Sequence, residues 1–446
     1  MKDAKNIQSM MLNNPIGPLI LKLAGPTIIA MLITSFYSLV DTFFVSQLGV
    51  IESSAVGIVF SIMAIIQATG LLFGQGAANT ISPLLGQGDG KKADEVFAVS
   101  FFTALLFLSF FGVVSFIFAN PFMRFLGATE ETISASVSYG RIIVLGSPFL
   151  GVCYTMNNIF RSEGRAFLGM IGMASGAILN IFLDALFIFG FGLGLNGAAL
   201  ATVVSQGIGF CLMLSFFIRK KSNMSLSIKN FKPTKKIYKS IFSLGAPSLL
   251  RNIGSTVCNI ALMNVASFYT ASATAAMSIV GRIVHFVLSL CIGFGQGMQP
   301  VVGYNWGAGK KDRVKEAYRF STRLGVAVFI VLAILLALFS SNVMEFFISD
   351  VNAVEIGSRY LFFQALVLPL LVSITLSGML MQCSGHGFEA SLMALIRQGI
   401  IYIPVLFLLE SALGLLGLEL TQSISDIICF AITLWMTRRI RKRENF

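Results

Sequence analysis

Long apolar runs occupy most of this 446-residue chain and limit its fold more than any other feature. The runs last for ~20–30 residues, which is long enough for an α-helix to cross a bilayer. Membrane β-barrels are instead built from much shorter segments of alternating polarity. Only 12% of the residues are charged, against about 25% in a soluble domain. The sequence therefore predicts an all-α integral membrane protein.

Twelve apolar runs are predicted to be transmembrane helices. They form two six-helix lobes with the same orientation, related by a pseudo-two-fold axis along the membrane normal. We expect an N-terminal lobe over residues 1–218, a cytoplasmic linker over 219–237 and a C-terminal lobe over 238–446. The predicted spans are 16–46, 53–82, 96–121, 131–160, 166–190, 196–218, 238–269, 273–303, 317–342, 353–382, 389–411 and 414–437.

The second half of the chain repeats landmarks of the first half. FGQG occurs at residues 73–76 and again at 294–297, and AGPTII at 24–29 has its counterpart in GAPSLL at 245–250. Two similar membrane halves in one orientation are a common design of secondary transporters. Such transporters hold their substrate between the halves.

The net charge of +12 is distributed unevenly along the chain. The terminal tails and the even-numbered connections carry 26 of the 32 Lys and Arg residues, whereas the odd-numbered connections carry acids such as Glu130 and Asp350. By the positive-inside rule, both termini are therefore expected in the cytoplasm. The basic excess sets this orientation and contacts membrane lipids, so no nucleic-acid partner is expected.

Three carboxylates lie well within predicted spans: Asp41, Asp184 and Asp426. A charged side chain at the centre of a membrane helix costs roughly 2.5–3.5 kcal/mol, even on the lenient insertion scale. Such residues are the first candidates for function. Asp426 has two interpretations, a functional group or a structural bond to a neighbouring helix.

Four helices of the first lobe place polar groups at a similar depth. Asp41, Asp184 and Thr202 lie about five or six residues from the outer ends of their spans, and Tyr139 lies about eight, which is ~8–12 Å below the surface. Asn180 precedes Asp184 by one helical turn on the same face. Oxygen ligands of this kind suit a proton or a hard cation such as Na⁺. We predict that these five residues form an H⁺ or Na⁺ site.

The substrate pocket is expected near the middle of span four. Its candidate residues are Asn157, Asn158 and Met156, together with Tyr37 of span one. The chain is rich in Met and Phe, with 19 and 41 residues. These side chains suit a pocket for organic cations, through soft packing and cation–π contacts.

No other chemistry is indicated. The intramembrane arginines, Arg251 and Arg397 among them, are expected mostly near span ends, where they reach the interface. The Gly-rich segment at 86–92 lacks the phosphate-binding pattern and is interpreted as a tight turn. The six cysteines lie in apolar runs without CxxC spacing, which favours core packing. We expect no enzymatic activity, no cofactor, no metal beyond Na⁺ and no obligate protein partner.

Five segments resemble the multidrug and toxic compound extrusion (MATE) family over nearly the whole chain. The resemblance implies twelve helices in two lobes, and export of organic cations from a bacterium against an inward H⁺ or Na⁺ gradient. It carries the family's ion site onto Asp41, Asn180, Asp184 and Thr202, with Tyr139 nearby. The segments are SLVDTFFVSQLG, QGAANTISPLLGQGDGKKA, NIFRSEGRAF, LNIFLDALFIFGFGLGLNGAALATVVSQ and GQGMQPVVGYNWGAGKKDRVKEA.

The second lobe indicates the branch of the family. NorM-type members also carry acids on spans seven and ten, where this sequence offers Cys258 and Asn259, and Ser373, Thr375 and Ser377. The chain is therefore more similar to the DinF-type and MepA-like members. The predicted mechanism is alternating access, in which ion binding repacks span one and releases the drug. The alternative is a flippase for a lipid-linked or amphiphilic substrate, which would need a large cationic cavity.

Overall fold

The computed structural model describes residues 2–444, with the side chains of residues 5–37, 40, 41 and 43–444. The terminal residues 1, 445 and 446 of the predicted lobes lie outside this part. Helices make up nearly all of the described chain, and no strand occurs in it. The α-helices are α1 (Lys2–Asn13), α2 (Ile16–Ser46), α3 (Val50–Gly86), α4 (Gly90–Ile117), α5 (Ala119–Phe125), α6 (Ile133–Leu145), α7 (Ser147–Ser162), α8 (Ala166–Ala185), α9 (Gly194–Ile218), α10 (Lys235–Ser267), α11 (Ala271–Gly307), α12 (Lys311–Leu338), α13 (Ser340–Phe347), α14 (Val351–Cys383), α15 (Gly387–Leu395), α16 (Tyr402–Leu413) and α17 (Leu415–Glu444).

Membrane spans account for most of this helical structure. Within residues 2–444, ten helices are long and apolar enough to cross a membrane, and α6 with α7 forms an eleventh span with a bend of 48°. Pro148 lies in the first turn of α7, just after the bend. The remaining predicted span is α10, a helix of 33 residues. Its hydropathy is lowered along its length by Arg251, Asn252, Asn259 and Asn264, in addition to the lysines of its first turns.

The two halves share some irregularities and differ in others. A short helix follows the third span in each half, α5 with 7 residues and α13 with 8. A π-helical turn occurs in the fifth span of each half, at its end in the first half (Leu186–Gly190) and inside it in the second (Ile396–Ile400). In the second of these turns the backbone of Gln398 and Gly399 leaves helical geometry. The internal repeat thus extends to the short helix after the third span, whereas the bend between α6 and α7 has no counterpart in the continuous helix α14.

The chain folds into two compact units. Unit 1 contains the residues up to Asn14 and Gly25–Gly245, and unit 2 contains Pro15–Ala24 and Ala246–Phe446. The boundaries inside α2 and α10 fall within the repeated AGP and GAP motifs, so each of these helices contributes to both units. The segment predicted as a linker, 219–237, belongs to unit 1. The predicted lobe bounds remain predictions.

Close helix packing in unit 1 depends on glycine. Gly70 of α3 and Gly151 of α7 bring their backbones together so tightly that a Cβ on Gly70 would overlap the Gly151 carbonyl oxygen. Thr155 adds a hydrogen bond from its hydroxyl to the Gly70 carbonyl at 3.2 Å. Small residues of this kind allow membrane helices to pack closely. This contact fixes α3 and α7 against each other in the core of unit 1.

Unit 2 is packed around α14. The hydroxyls of Tyr318 on α12 and Ser377 on α14 are hydrogen-bonded at 2.8 Å. A side chain on Gly295 of α11 would collide with Met379 of α14. All six cysteines are free thiols, and five of them are buried, in agreement with the predicted packing role.

Candidate functional site

Asn180 ties α8 to α9 at the predicted ion site. With its amide oriented to satisfy both neighbours, Nδ2 donates to Asp184 Oδ2 at 3.1 Å and Oδ1 accepts from the Thr202 backbone N–H at 3.3 Å. Asn180 and Asp184 are fully buried, and Thr202 is 4% exposed. The Asp184 carboxylate is therefore held by hydrogen bonding and not by a basic partner.

Asp41 reaches the same site from α2. Its carboxylate interacts electrostatically with that of Asp184, and both interact with the phenol of the fully buried Tyr139 on α6. Two oxygens in this group, Asp41 Oδ1 and the Tyr139 hydroxyl, are buried with no hydrogen-bond partner among the described residues. Buried polar atoms are nearly always paired in folded proteins, so these two oxygens are suited to bind a proton or a cation.

The five residues predicted as an ion site thus occur together in unit 1. They come from four elements that are distant in sequence: α2, α6, α8 and α9. Asp184 lies on the last turn of α8, immediately before the π-helical turn. The site holds two carboxylates, an amide and two hydroxyls, and no described Lys or Arg forms an ion pair with either acid. Such a group suits one proton or one hard cation.

Two of the predicted pocket residues are used in packing. Met156 is fully buried in the hydrophobic core of unit 1. The Asn158 amide donates to the Tyr154 carbonyl at 2.7 Å, and its side-chain oxygen accepts from Arg161. Neither side chain is therefore free to bind a substrate in this conformation.

The other two pocket candidates lie in different surroundings. Asn157 packs against Gly169 of α8, where a Cβ would lie 2.8 Å from its amide nitrogen. Tyr37 is close enough to Asp41 for electrostatic interaction, and it also interacts with Tyr154. Of the four candidates, Tyr37 alone thus adjoins the carboxylates. Tyr154 was missed, although it lies three residues before Asn157 and so on the same helical face.

Arg397 is not near a span end, and the expectation that it reaches the interface is wrong. It lies in the broken fifth span of unit 2 and is only 9% exposed. Its Nε donates to Asp426 Oδ1 at 2.8 Å, and Gln422 donates to the other carboxylate oxygen at 3.0 Å. The carboxylate neutralises the guanidinium and holds it inside. Asp426 therefore makes a structural bond, one of its two interpretations.

Across the described part of the chain, no three His, Cys, Asp or Glu side chains are grouped as a metal site requires. Of the three carboxylates within predicted spans, Asp426 is paired with Arg397. Asp41 and Asp184 are the other two.

These features define a helical membrane protein built from an internal repeat, with buried carboxylates in one unit. The profile of the MatE family matches residues 26–186 and 247–408. The two matches begin at Pro26 and Pro247, the prolines of the repeated motifs. The chain belongs to this family, the multidrug and toxic compound extrusion transporters. It is therefore a transporter and not an enzyme.

Curated relatives and solved structures agree with this assignment. The multidrug export protein MepA of Staphylococcus haemolyticus is 29% identical over 422 residues, which are 94% of this chain and 92% of that protein. MepA of Staphylococcus saprophyticus is 30% identical over 423 residues, with the same coverage. A crystal structure of a MATE transporter in complex with MaL6 is 22% identical, covers 98% of both chains and has a TM-score of 0.93. This likeness confirms the predicted fold.

Proposed function

We propose that the chain exports small organic cations across the bacterial plasma membrane in exchange for inward H⁺ or Na⁺. The substrate class is supported by the relatives at 29% and 30% identity, which are multidrug export proteins. The observation that carries the ion coupling is the pair of carboxylates formed by the fully buried Asp184 and the half-buried Asp41, with Asn180 and Thr202 around it. The orientation with both termini in the cytoplasm is part of the same proposal.

The chemistry of exchange follows from the two carboxylates. Two negative charges close together in a low dielectric repel strongly, so a proton or Na⁺ between them relieves a large electrostatic cost. Binding of that ion reduces the negative charge that attracts a cationic drug. Each ion that moves down a potential of 100 mV supplies about 2.3 kcal/mol. This energy drives alternating access, with repacking of α2 near Pro26 as the coupled step.

Ethidium export from reconstituted vesicles tests the proposal. The parent chain is compared with Asp41→Asn and Asp184→Asn, under an imposed pH gradient and under an imposed Na⁺ gradient. Asp312→Asn is the matched control, because Asp312 is exposed at the start of α12. We expect one gradient to drive transport in the parent and the control, and neither gradient to drive it in the two site variants.

Other results have equally clear meanings. Gradient-driven export that survives both site substitutions would remove this group of residues from the mechanism. An absence of ethidium transport under either gradient would contradict the exporter and favour a flippase for an amphiphilic substrate.

A further inference from the structure

Unit 2 contains a cavity where α10 meets the broken fifth span. A Cβ on Gly254 of α10 would overlap the carbonyl oxygen of Gln398, so the two backbones touch there. Arg251 precedes Gly254 by three residues and lies on the same face, one turn away. The cavity beside this contact has a volume of about 50 Å³, and its polar lining comes from Arg251, Thr375, Gln382, Arg397 and Gln398.

The lining of this cavity carries an excess of positive charge. It contains two guanidinium groups and no carboxylate, as far as the structure describes it. Asp426, which does not line the cavity, neutralises Arg397 through an ion pair. Arg251 interacts electrostatically with Arg397, and none of the described residues accepts a hydrogen bond from it or pairs with it. Because arginine does not lose its proton in proteins, the Arg251 charge stays uncompensated.

Arg251 has no route to the membrane surface. It is the central residue of the 33-residue helix Lys235–Ser267, and at 1.5 Å per residue each helix end is ~24 Å away. A side chain of this length cannot bring its charge to the interface from there. The Arg251 side chain is partly exposed, and a charge that is incompletely solvated and unpaired is stabilised by an accompanying anion. The position therefore calls for an anionic ligand.

We propose that this cavity is a carboxylate subsite, in which Arg251 binds the carboxylate of a zwitterionic substrate. The subsite rests on the proposed export function and extends its substrates from plain cations to drugs that also carry a carboxylate. A carboxylate matches the planar guanidinium fork with two parallel hydrogen bonds. It also carries the single negative charge that the one uncompensated guanidinium requires.

Two dyes that differ only in this group test the subsite. Rhodamine B is a zwitterion with a free carboxylate, and its ethyl ester is a plain cation. Transport of both dyes is measured in vesicles for the parent, Arg251→Gln, Arg251→Lys and the control Arg282→Gln, whose arginine is exposed on α11. We expect Arg251→Gln to raise the KM for rhodamine B by about tenfold or more, the loss expected for charge-assisted hydrogen bonds. The ester should be unaffected, which also shows that the variant is folded.

The variants and the lipid composition separate the alternatives. Arg251→Lys should retain part of the preference for rhodamine B, because it keeps the charge and loses the fork. Equal effects of Arg251→Gln on both dyes, or no effect on either, would overturn the proposal. An effect on the ester that requires phosphatidylglycerol in phosphatidylcholine vesicles would assign the site to a lipid phosphate and also overturn it.

Binding measurements keep this test separate from the export function. If the parent transports neither dye, the exporter is wrong. Fluorescence anisotropy of the purified protein then decides the subsite alone. Tighter binding of rhodamine B than of its ester, lost in Arg251→Gln, would support it, and equal binding of the two dyes would contradict it.

Discussion

Asn180 determines the geometry of the candidate ion site, because one amide holds both Asp184 and the backbone of Thr202. Asn180→Ala removes both hydrogen bonds and takes a donor away from the fully buried Asp184 carboxylate. Loss of a partner at a buried polar group typically costs about 1–3 kcal/mol. We expect gradient-driven ethidium export to fall roughly tenfold or more, since a shift of this size alters an equilibrium by that factor.

The control for this variant is Asn259→Ala. Asn259 lies exposed on α10, and its side chain has no hydrogen-bond partner among the described residues. Its replacement should leave export within about twofold of the parent. If Asn180→Ala exported at the parent rate, the ion would not depend on a positioned Asp184.

The ion pair of Arg397 and Asp426 is buried in unit 2 and is expected to contribute to stability. Removal of one partner from a buried pair costs about 3–5 kcal/mol, because the other charge stays buried. Asp426→Asn should therefore lower the melting temperature of the detergent-solubilised protein. The double variant Arg397→Met, Asp426→Leu should recover most of the loss. A melting temperature unchanged in Asp426→Asn would show that the pair contributes little to stability.

At the scale of helices, the contact between α3 and α7 depends on the absence of a side chain at Gly70. A methyl group there would overlap the Gly151 carbonyl, so Gly70→Ala should separate the helices and destabilise the protein. Overpacking typically costs about 1–3 kcal/mol. Gly57→Ala on the same helix is the control, since a Cβ at Gly57 meets nothing within 4 Å. Equal melting temperatures for the two variants would contradict this account.

The connection between α9 and α10 is hydrogen-bonded to Glu163, a buried acid that directly follows α7. Glu163 is fully buried and accepts hydrogen bonds from the Ser222 hydroxyl and the Asn223 backbone N–H, both at 2.7 Å. Asp94 of α4 accepts another from the Ser225 backbone N–H at 2.8 Å. Burial raises the pKa of Glu163 from 4.5 to about 7, against the effect of these hydrogen bonds. The Glu163 carboxyl, which holds this connection, therefore titrates near neutral pH.

Glu163→Gln should remove a pH dependence of stability. Because the folded pKa of Glu163 is raised, its contribution to the free energy of unfolding is fully present below about pH 4.5 and is lost as the pH rises through about 7. The parent should therefore lose more stability between pH 5 and pH 8 than the variant does, by thermal melting in detergent. Glu131→Gln, an exposed control, should behave like the parent. Parallel pH profiles for all three proteins would be incompatible with this titration.

Helix positions could be predicted because hydropathy reports them directly. Depth and the i, i+4 relation predict a group of Asp41, Asn180 and Asp184, and the structure brings these three residues together; their role as an ion site stays a prediction. The apolar pattern does not report a break in a helix, so the non-helical backbone at Gln398 was missed, and with it the inward position of Arg397. Local bonds such as that of Asn158 to Tyr154 depend on packing that spacing alone cannot give.

For the whole molecule, the boundaries between the two units coincide with the internal sequence repeat. The unit boundaries lie at Ala24 and Gly25 in α2 and at Gly245 and Ala246 in α10. In both helices, a proline follows within two residues, Pro26 and Pro247. A proline inside a helix removes one backbone hydrogen bond and allows a kink. The two helices shared between the units are thus the ones with a local means of bending at the boundary.

Orientation in the membrane is the property of the whole chain that charge predicts most directly. Glu131 lies just before α6, between the third and fourth spans of the structure, and Lys229 lies in the basic connection between α9 and α10; both side chains are exposed. By the positive-inside rule, the first faces the outside and the second faces the cytoplasm. In a variant whose six native cysteines are replaced, a membrane-impermeant maleimide should label Glu131→Cys in intact cells and Lys229→Cys only after lysis. Retained ethidium export serves as the control for folding. Labelling of Lys229→Cys in intact cells would reverse the predicted orientation, and with it the direction in which Asp41 and Asp184 meet the coupling ion.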